Sequence, residues 1–274
     1  MFPVVFRLGP VTVHTYGLMM ALGVGLGLWF LYAQSKKRGL DAVRVADAGF
    51  YTILVSLLGA KLVLFFRDFS YYTRYPGELL SLARSGGVFQ GGLAFGVIFA
   101  LWYFRKRRLP TWKLADIVGP ALALGHGFGR VGCFMAGCCY GRACELPVGV
   151  MFRSEYAHNL TGIPLGQRLY PVQLFEAALN FLNFIVLFLI LRRKRFDGQV
   201  FSFYILNYSI IRFITEYFRG DHPGQAYVVQ GGSAWLSLSY PQFFSLVGLA
   251  AGLVLMIFMK KKSAGATGPG RAAR

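Results

Sequence analysis

The run Gly129-Arg130-Val131-Gly132-Cys133-Phe134-Met135-Ala136-Gly137-Cys138-Cys139-Tyr140-Gly141 places an arginine, small residues and three thiols at the end of a long apolar stretch. Charge and loose backbone at membrane depth are tolerated only where they face a wet, protein-lined cavity, so this segment is the foremost candidate for a working site. Arg130 ends that stretch, Arg212 lies inside a later one, and Arg219 stands at the latter's end. A single arginine at such a place reads first as a snorkelling anchor. Two that border one glycine-rich cavity read differently, because a planar fork of donors fits a phosphate oxyanion; Arg130 and Arg219 suggest a clamp on a phospholipid head group.

Other polar residues fall at similar depth. His14, Thr15 and Tyr16 open the first apolar stretch, and Gln90, Gly91 and Gly92 sit early in the third. Gln173 and Glu176 are three apart on one helical face, and Glu216 precedes Arg219 by three, a spacing that predicts a helical ion pair. Hydrogen bonding between helices is the plainer reading of these groups. His126, one turn before Arg130, reads as a hydrogen-bonded core histidine before it reads as a proton carrier. The four cysteines, Cys133, Cys138, Cys139 and Cys144, leave four readings open: disulfide staples, buried thiols, a metal site whose spacing matches no common zinc pattern, or a thiol in chemistry.

The elements that hold these residues follow from composition. The chain is 55% hydrophobic, and its apolar residues gather in blocks near the length a bilayer requires. Spans are expected at about 14–33, 46–66, 87–104, 113–129, 171–191, 199–217 and 239–259, giving an all-α integral membrane protein of seven transmembrane helices. Of the 29 Lys and Arg, 18 follow odd-numbered spans, for example Lys36-Lys37-Arg38, Arg105 to Arg108, Arg192 to Arg195 and Lys260 to Lys262. By the positive-inside rule the N-terminus is then outside and the C-terminus cytoplasmic. The net charge of +18 is on this view a topology signal with anionic-lipid affinity, and no nucleic-acid partner is expected. The lead-in from Val4 to Pro10 lacks a basic n-region and reads as a retained amphipathic segment on the outer interface. Residues 1–262 are expected to form one polytopic domain with an outer loop or lid at about 130–169, and 263–274 a flexible cytoplasmic tail.

Five ordered motifs carry a family resemblance: His14-Thr15-Tyr16-Gly17-Leu18-Met19, Gly86 to Leu93, Gly129-Arg130, Tyr170-Pro171-Val172-Gln173-Leu174-Phe175-Glu176, and Arg212 to Arg219. In this order they resemble the prolipoprotein diacylglyceryl transferases. The resemblance implies a bacterial plasma-membrane enzyme with its active site facing the outer leaflet. It would move diacylglyceryl from phosphatidylglycerol to the lipobox cysteine of a preprolipoprotein, forming a thioether and releasing glycerol 1-phosphate. The family's signature arginine falls on Arg130, its second essential arginine on Arg219, and its tyrosine near the first span on Tyr16. The chain departs from the pattern where Cys133 and Cys138 replace an asparagine and a glutamate, and where Gln90 and Tyr170 replace histidines.

The implied chemistry is displacement at a glycerol carbon. Arg130 and Arg219 hold the phosphate, Tyr16 and Gln90 position the head group, and Glu176 takes the thiol proton or orients an arginine. His14, Gly91, Gly92, Cys133, Gln173 and Glu216 complete the expected substrate contacts, and neither a metal nor an organic cofactor is required. Two competing readings use the same scaffold: a membrane thiol-disulfide or metal-handling protein dependent on Cys138 and Cys139, and a noncatalytic lipid-binding module. The absence of a Cys-x-x-Cys pair counts against the former.

Overall fold

A computed structural model describes residues 3–9, 11–79, 82, 87–221, 227–229 and 237–266. It is 74% helical. The principal helices are α1 (Thr15–Lys37), α2 (Ala42–Arg67), α3 (Phe69–Arg74), α4 (Phe89–Lys106), α5 (Thr111–Ala136), α6 (Glu155–Thr161), α7 (Val172–Arg193), α8 (Gln199–Glu216) and α9 (Tyr240–Ala266). Each apolar block expected to span the membrane is therefore a helix. Four of them, α1, α2, α7 and α9, are long and apolar enough to cross a bilayer by length and composition. The other three carry polar cargo that lowers their apolarity: Arg105 and Lys106 in α4, Lys113, Asp116 and Arg130 in α5, and Arg212 and Glu216 in α8. Large apolar side chains such as Trp29, Phe66, Ile98, Phe244 and Val254 stand about two-thirds exposed along the helices. An apolar surface this extensive needs lipid around it, so the chain is a helical membrane protein.

The chain divides into two compact units, residues 1–27 with 115–274, and residues 28–114. In the smaller unit α4 packs along α2 through small residues. A side chain added at Gly91 would meet Val63 Cγ2 at 2.6 Å, and one at Gly92 would meet Ser56 O at 3.0 Å. In the larger unit α8 lies between α7 and α9.

Near the start of α5, Asp116 is fully buried and organises the turn from α7 into α8. Its Oδ2 accepts from Lys194 Nζ at 2.8 Å and Gly198 N at 2.9 Å, and its Oδ1 from Phe201 N at 3.0 Å. A buried carboxylate with both oxygens met fixes the entry of α8.

Four expectations change. The backbone after Gly129 is not irregular, because α5 runs on to Ala136 and carries Arg130 and Cys133 on helix. Gly132 makes this possible: a side chain there would press on Met19 and Tyr16 at 3.2 Å, so its absence lets α5 approach α1. The lead-in is not an isolated amphipathic piece but an antiparallel hairpin, β1 (Val4–Leu8) with β2 (Val11–His14), which puts His14 on a strand. The tail begins later than 263, since α9 continues to Ala266; residues 267–274 lie outside the described residues. The segment at about 130–169 is not a bare loop. Its strands β3 (Val150–Met151) and β4 (Arg168–Leu169) pair, and α6 starts on a Ser154 side-chain cap and ends at Gly162 with φ 72°. Phe152, Ala157, Ile163 and Leu169 give it a small core of its own.

Candidate active site

All of the site described next lies in the larger unit. Arg130, near the end of α5, places its Nε 3.0 Å from Glu176 Oε2, with the two side chains 13% and 1% exposed. Glu176 faces it from the first turns of α7, and Gln173, three residues earlier on the same face, is fully buried. Gln173 Nε2 donates to Cys138 O at 2.9 Å, tying the thiol-bearing turn to α7.

The turn after α5 depends on two left-handed residues, Gly137 at φ 79° and Cys139 at φ 58°. The second is uncommon for a residue with a side chain and is held by its surroundings. Beyond it, 140–142 runs antiparallel to 218–220. Arg142 N donates to Phe218 O and Gly220 N to Tyr140 O, both at 3.0 Å, and Gly141 bridges Arg219. On its other side the strip meets β4, with Tyr170 N donating to Arg142 O at 3.0 Å. Distant segments thus bring Arg219 to the thiol turn.

Arg219 does not pair with Glu216 as the spacing predicted. Helix α8 ends at Glu216 and turns through Tyr217 and Phe218, so Arg219 leaves the helical face. It makes a two-pronged contact with Asp221, Nε to Oδ1 at 2.9 Å and Nη2 to Oδ2 at 2.6 Å. Burial opposes the Arg219 charge, but the Asp221 hydrogen bonds and charge outweigh it and raise the pKa above the ordinary arginine value. Glu216 instead meets Arg212 one turn back, Oε2 to Nη2 at 2.8 Å, and accepts from Ser239 Oγ at 3.1 Å.

Arg130 and Arg219 are close enough for their charges to interact, and each also feels Cys139. Tyr208, in α8, feels Arg212, Glu176, Arg130 and Arg219 together. Nothing in the sequence marked it out from its aromatic neighbours; its position two turns before Glu216 was the only signal. Asp221 was also missed, since it lies past the helix end. His126 packs against Tyr208 in a tilted arrangement, ring centroids 5.1 Å apart, and lies within charge range of Arg130 and Arg212.

All four cysteines are free thiols. Cys133, Cys138 and Cys139 present sulfurs within 4.8 Å of one another. Thiol donors from Cys133 and Cys138, with Arg219 and Arg130 nearby, draw the Cys139 thiol below its usual range despite burial. Cys144 is apart, its Sγ on Leu146 O at 3.8 Å. Tyr16 reaches the edge of this group: it is 41% exposed, with Arg130 and the three thiols within charge range. His14 is exposed and stacks at 6.2 Å on Tyr156 of α6. Gln90 is exposed at the start of α4 in the smaller unit, where Gly91 and Gly92 serve helix packing.

The cluster leaves some donors and acceptors unmet. Glu176 Oε1, Gln173 Oε1 and Arg212 Nη1 are buried and have no hydrogen-bond partner among the described residues. Orphaned polar atoms beside paired arginines suit a ligand rich in oxyanions and hydroxyls.

Fold and site together define a polytopic helical membrane protein with a buried guanidinium–carboxylate site beside a thiol turn. The profile of the family described as prolipoprotein diacylglyceryl transferase matches residues 3–258, and the chain belongs to that family. Among its relatives, the phosphatidylglycerol–prolipoprotein diacylglyceryl transferase of Clostridium tetani is 34% identical over 92% of this chain and 96% of its own. Proteins of the same name from Coxiella burnetii and Geobacter sulfurreducens are 36% identical over 86% of this chain and 87% of theirs, and 32% identical over 96% and 97%.

Proposed function

We propose that this chain transfers the diacylglyceryl group of phosphatidylglycerol to the cysteine thiol of a preprolipoprotein. The acceptor thiolate attacks the glycerol carbon next to the phosphate. A C–S bond forms, the C–O bond to phosphate breaks, and glycerol 1-phosphate leaves with the bonding pair. The charge that grows on the leaving phosphate is where preorganised cations act, at about 3–4 kcal/mol for a well-placed donor.

The observation that carries this reading is the approach of Arg130 and Arg219 within charge range of each other, each oriented by its own carboxylate, Glu176 and Asp221. A carboxylate behind a guanidinium fixes its fork and leaves the remaining N–H groups for phosphate oxygens. Arg212 Nη1 and Gln173 Oε1 offer further contacts to the glycerol head. Tyr16, half-exposed beside the thiols, is assigned to the head group, and Glu216 holds Arg212 in place.

The setting follows from the charge distribution. Seven helices, α1, α2, α4, α5, α7, α8 and α9, cross the bacterial inner membrane with the N-terminus outside and the C-terminus cytoplasmic, since the basic clusters trail α1, α4, α7 and α9. That topology puts the Arg130 end of α5 and the Arg219 end of α8 at the outer leaflet.

The test is transfer by the purified chain in phosphatidylglycerol vesicles. A peptide with a lipobox cysteine should gain the mass of one diacylglyceryl group while glycerol 1-phosphate appears in equal amount. A peptide with serine in that place should gain nothing. Absence of both products in a folded preparation would overturn the assignment.

A further inference from the structure

We propose that Cys133, Cys138 and Cys139 form a three-thiolate site for one zinc ion whose fourth position receives the acceptor cysteine. The first half rests on the thiols alone; the second rests on the transferase reading above.

The spacing of the three cysteines matches no common zinc pattern, and the fold gathers them. Cys133 comes from the last turn of α5, while Cys138 and Cys139 return over it through the left-handed pair Gly137 and Cys139. Their sulfurs lie within 4.8 Å of one another, and the Gln173 bond to Cys138 O pins the turn. A tetrahedral zinc with Zn–S bonds near 2.3 Å separates its sulfurs by about 3.8 Å, so small side-chain rotations close the site. Three protein ligands with one position open is the arrangement of a zinc that works on a substrate rather than one that staples a fold.

The reaction supplies the purpose. Alkylation needs a thiolate, and the two carboxylates at the site, Glu176 and Asp221, are each held in an ion pair with an arginine. A thiol that coordinates zinc is deprotonated outright, its proton passing to solvent, and the sulfur keeps a lone pair for the glycerol carbon. One of the chain's own thiols is a poor covalent carrier by comparison. It would take the diacylglyceryl group as a thioether, and an alkyl C–S bond has no leaving group able to hand it on.

Cobalt reports on such a site without any transfer. The full-length protein, purified in detergent with reductant and stripped with a chelator, should take up one Co2+ per chain. Thiolate-to-cobalt charge-transfer absorption and tetrahedral visible bands should appear, and Zn2+ should abolish them. C138S and C139S should lose the signal and C144S should keep it. Adding a lipobox peptide should shift the visible bands, whereas its serine counterpart should not. The site is refuted if wild type gives no thiolate signal, if the C133S/C138S/C139S protein gives the same one, or if protein purified without reductant holds a disulfide between two of these thiols. Cobalt bound with no peptide-dependent shift would refute the fourth-ligand role. Failure here leaves the transferase assignment standing, whereas cobalt uptake without transfer would count against that assignment alone.

Discussion

The two ends of α5 each carry a buried charge, and they are built on opposite plans. At one end Asp116 has both oxygens met, by Lys194 Nζ, Gly198 N and Phe201 N. At the other, Arg130 meets Glu176, yet Glu176 Oε1, Gln173 Oε1 and Arg212 Nη1 are left without partners among the described residues. A buried polar cluster that is complete rigidifies a fold; one that is incomplete costs stability unless something else completes it. The first belongs to folding, and the second leaves donors and acceptors open for the proposed substrate.

Substitutions separate the two plans. Asp116→Ala strands the backbone N–H groups of Gly198 and Phe201 and leaves Lys194 with Asp197 alone, and should lower the unfolding free energy of the extracted protein by about 3–5 kcal/mol. Transfer per folded molecule should stay within a few-fold of wild type. An unchanged thermal unfolding midpoint would remove Asp116 from its structural role. Arg130→Lys keeps the charge opposite Glu176 but loses the fork, and should slow transfer by about 10²-fold or more, ~3 kcal/mol, with little change in unfolding. Retention of near-normal turnover would break the contrast between the two ends. Asp221→Asn weakens the orientation of Arg219 without removing it, and about a tenfold fall in turnover is expected, worth ~1.5 kcal/mol. A loss as large as that of Arg130→Lys would mean that Asp221 does more than orient. Ser154→Ala removes the cap of α6, away from the charged cluster, and should cost about 1 kcal/mol in stability with transfer preserved.

Why some of this was legible in the sequence and some was not has a physical basis. Apolar blocks force helices, so the positions of the seven long helices could be read from hydropathy, within a few residues at most ends, while α5 and α9 run seven residues further than expected. Arg130, Gln173 and Glu176 stood out because polar groups in apolar surroundings need a partner, and the structure pairs Arg130 with Glu176 and Gln173 with the Cys138 carbonyl. The pairing of Arg219 was misread because an i, i+3 rule holds only while the helix lasts, and α8 stops at Glu216. Asp221, two residues beyond, carries no periodic signal. The thiol cluster depends on a left-handed backbone at Cys139, which residue type does not announce. The end of α5 was set too early because Gly129 and Gly132 resemble a hinge, whereas Gly132 acts as a contact surface for α1. Gln90 matched a motif by order along the chain, yet it lies in the smaller of the two compact units.

The central claim is that Arg130 and Arg219 grip one phosphate, and a double-mutant cycle tests it most directly. Glycerol 1-phosphate release from phosphatidylglycerol vesicles would be measured for wild type, Arg130→Lys, Arg219→Lys and the double variant. The account predicts that the double variant is hardly slower than either single one, because each change already spoils the shared clamp. Losses that simply multiply would mean that the two arginines act on separate groups.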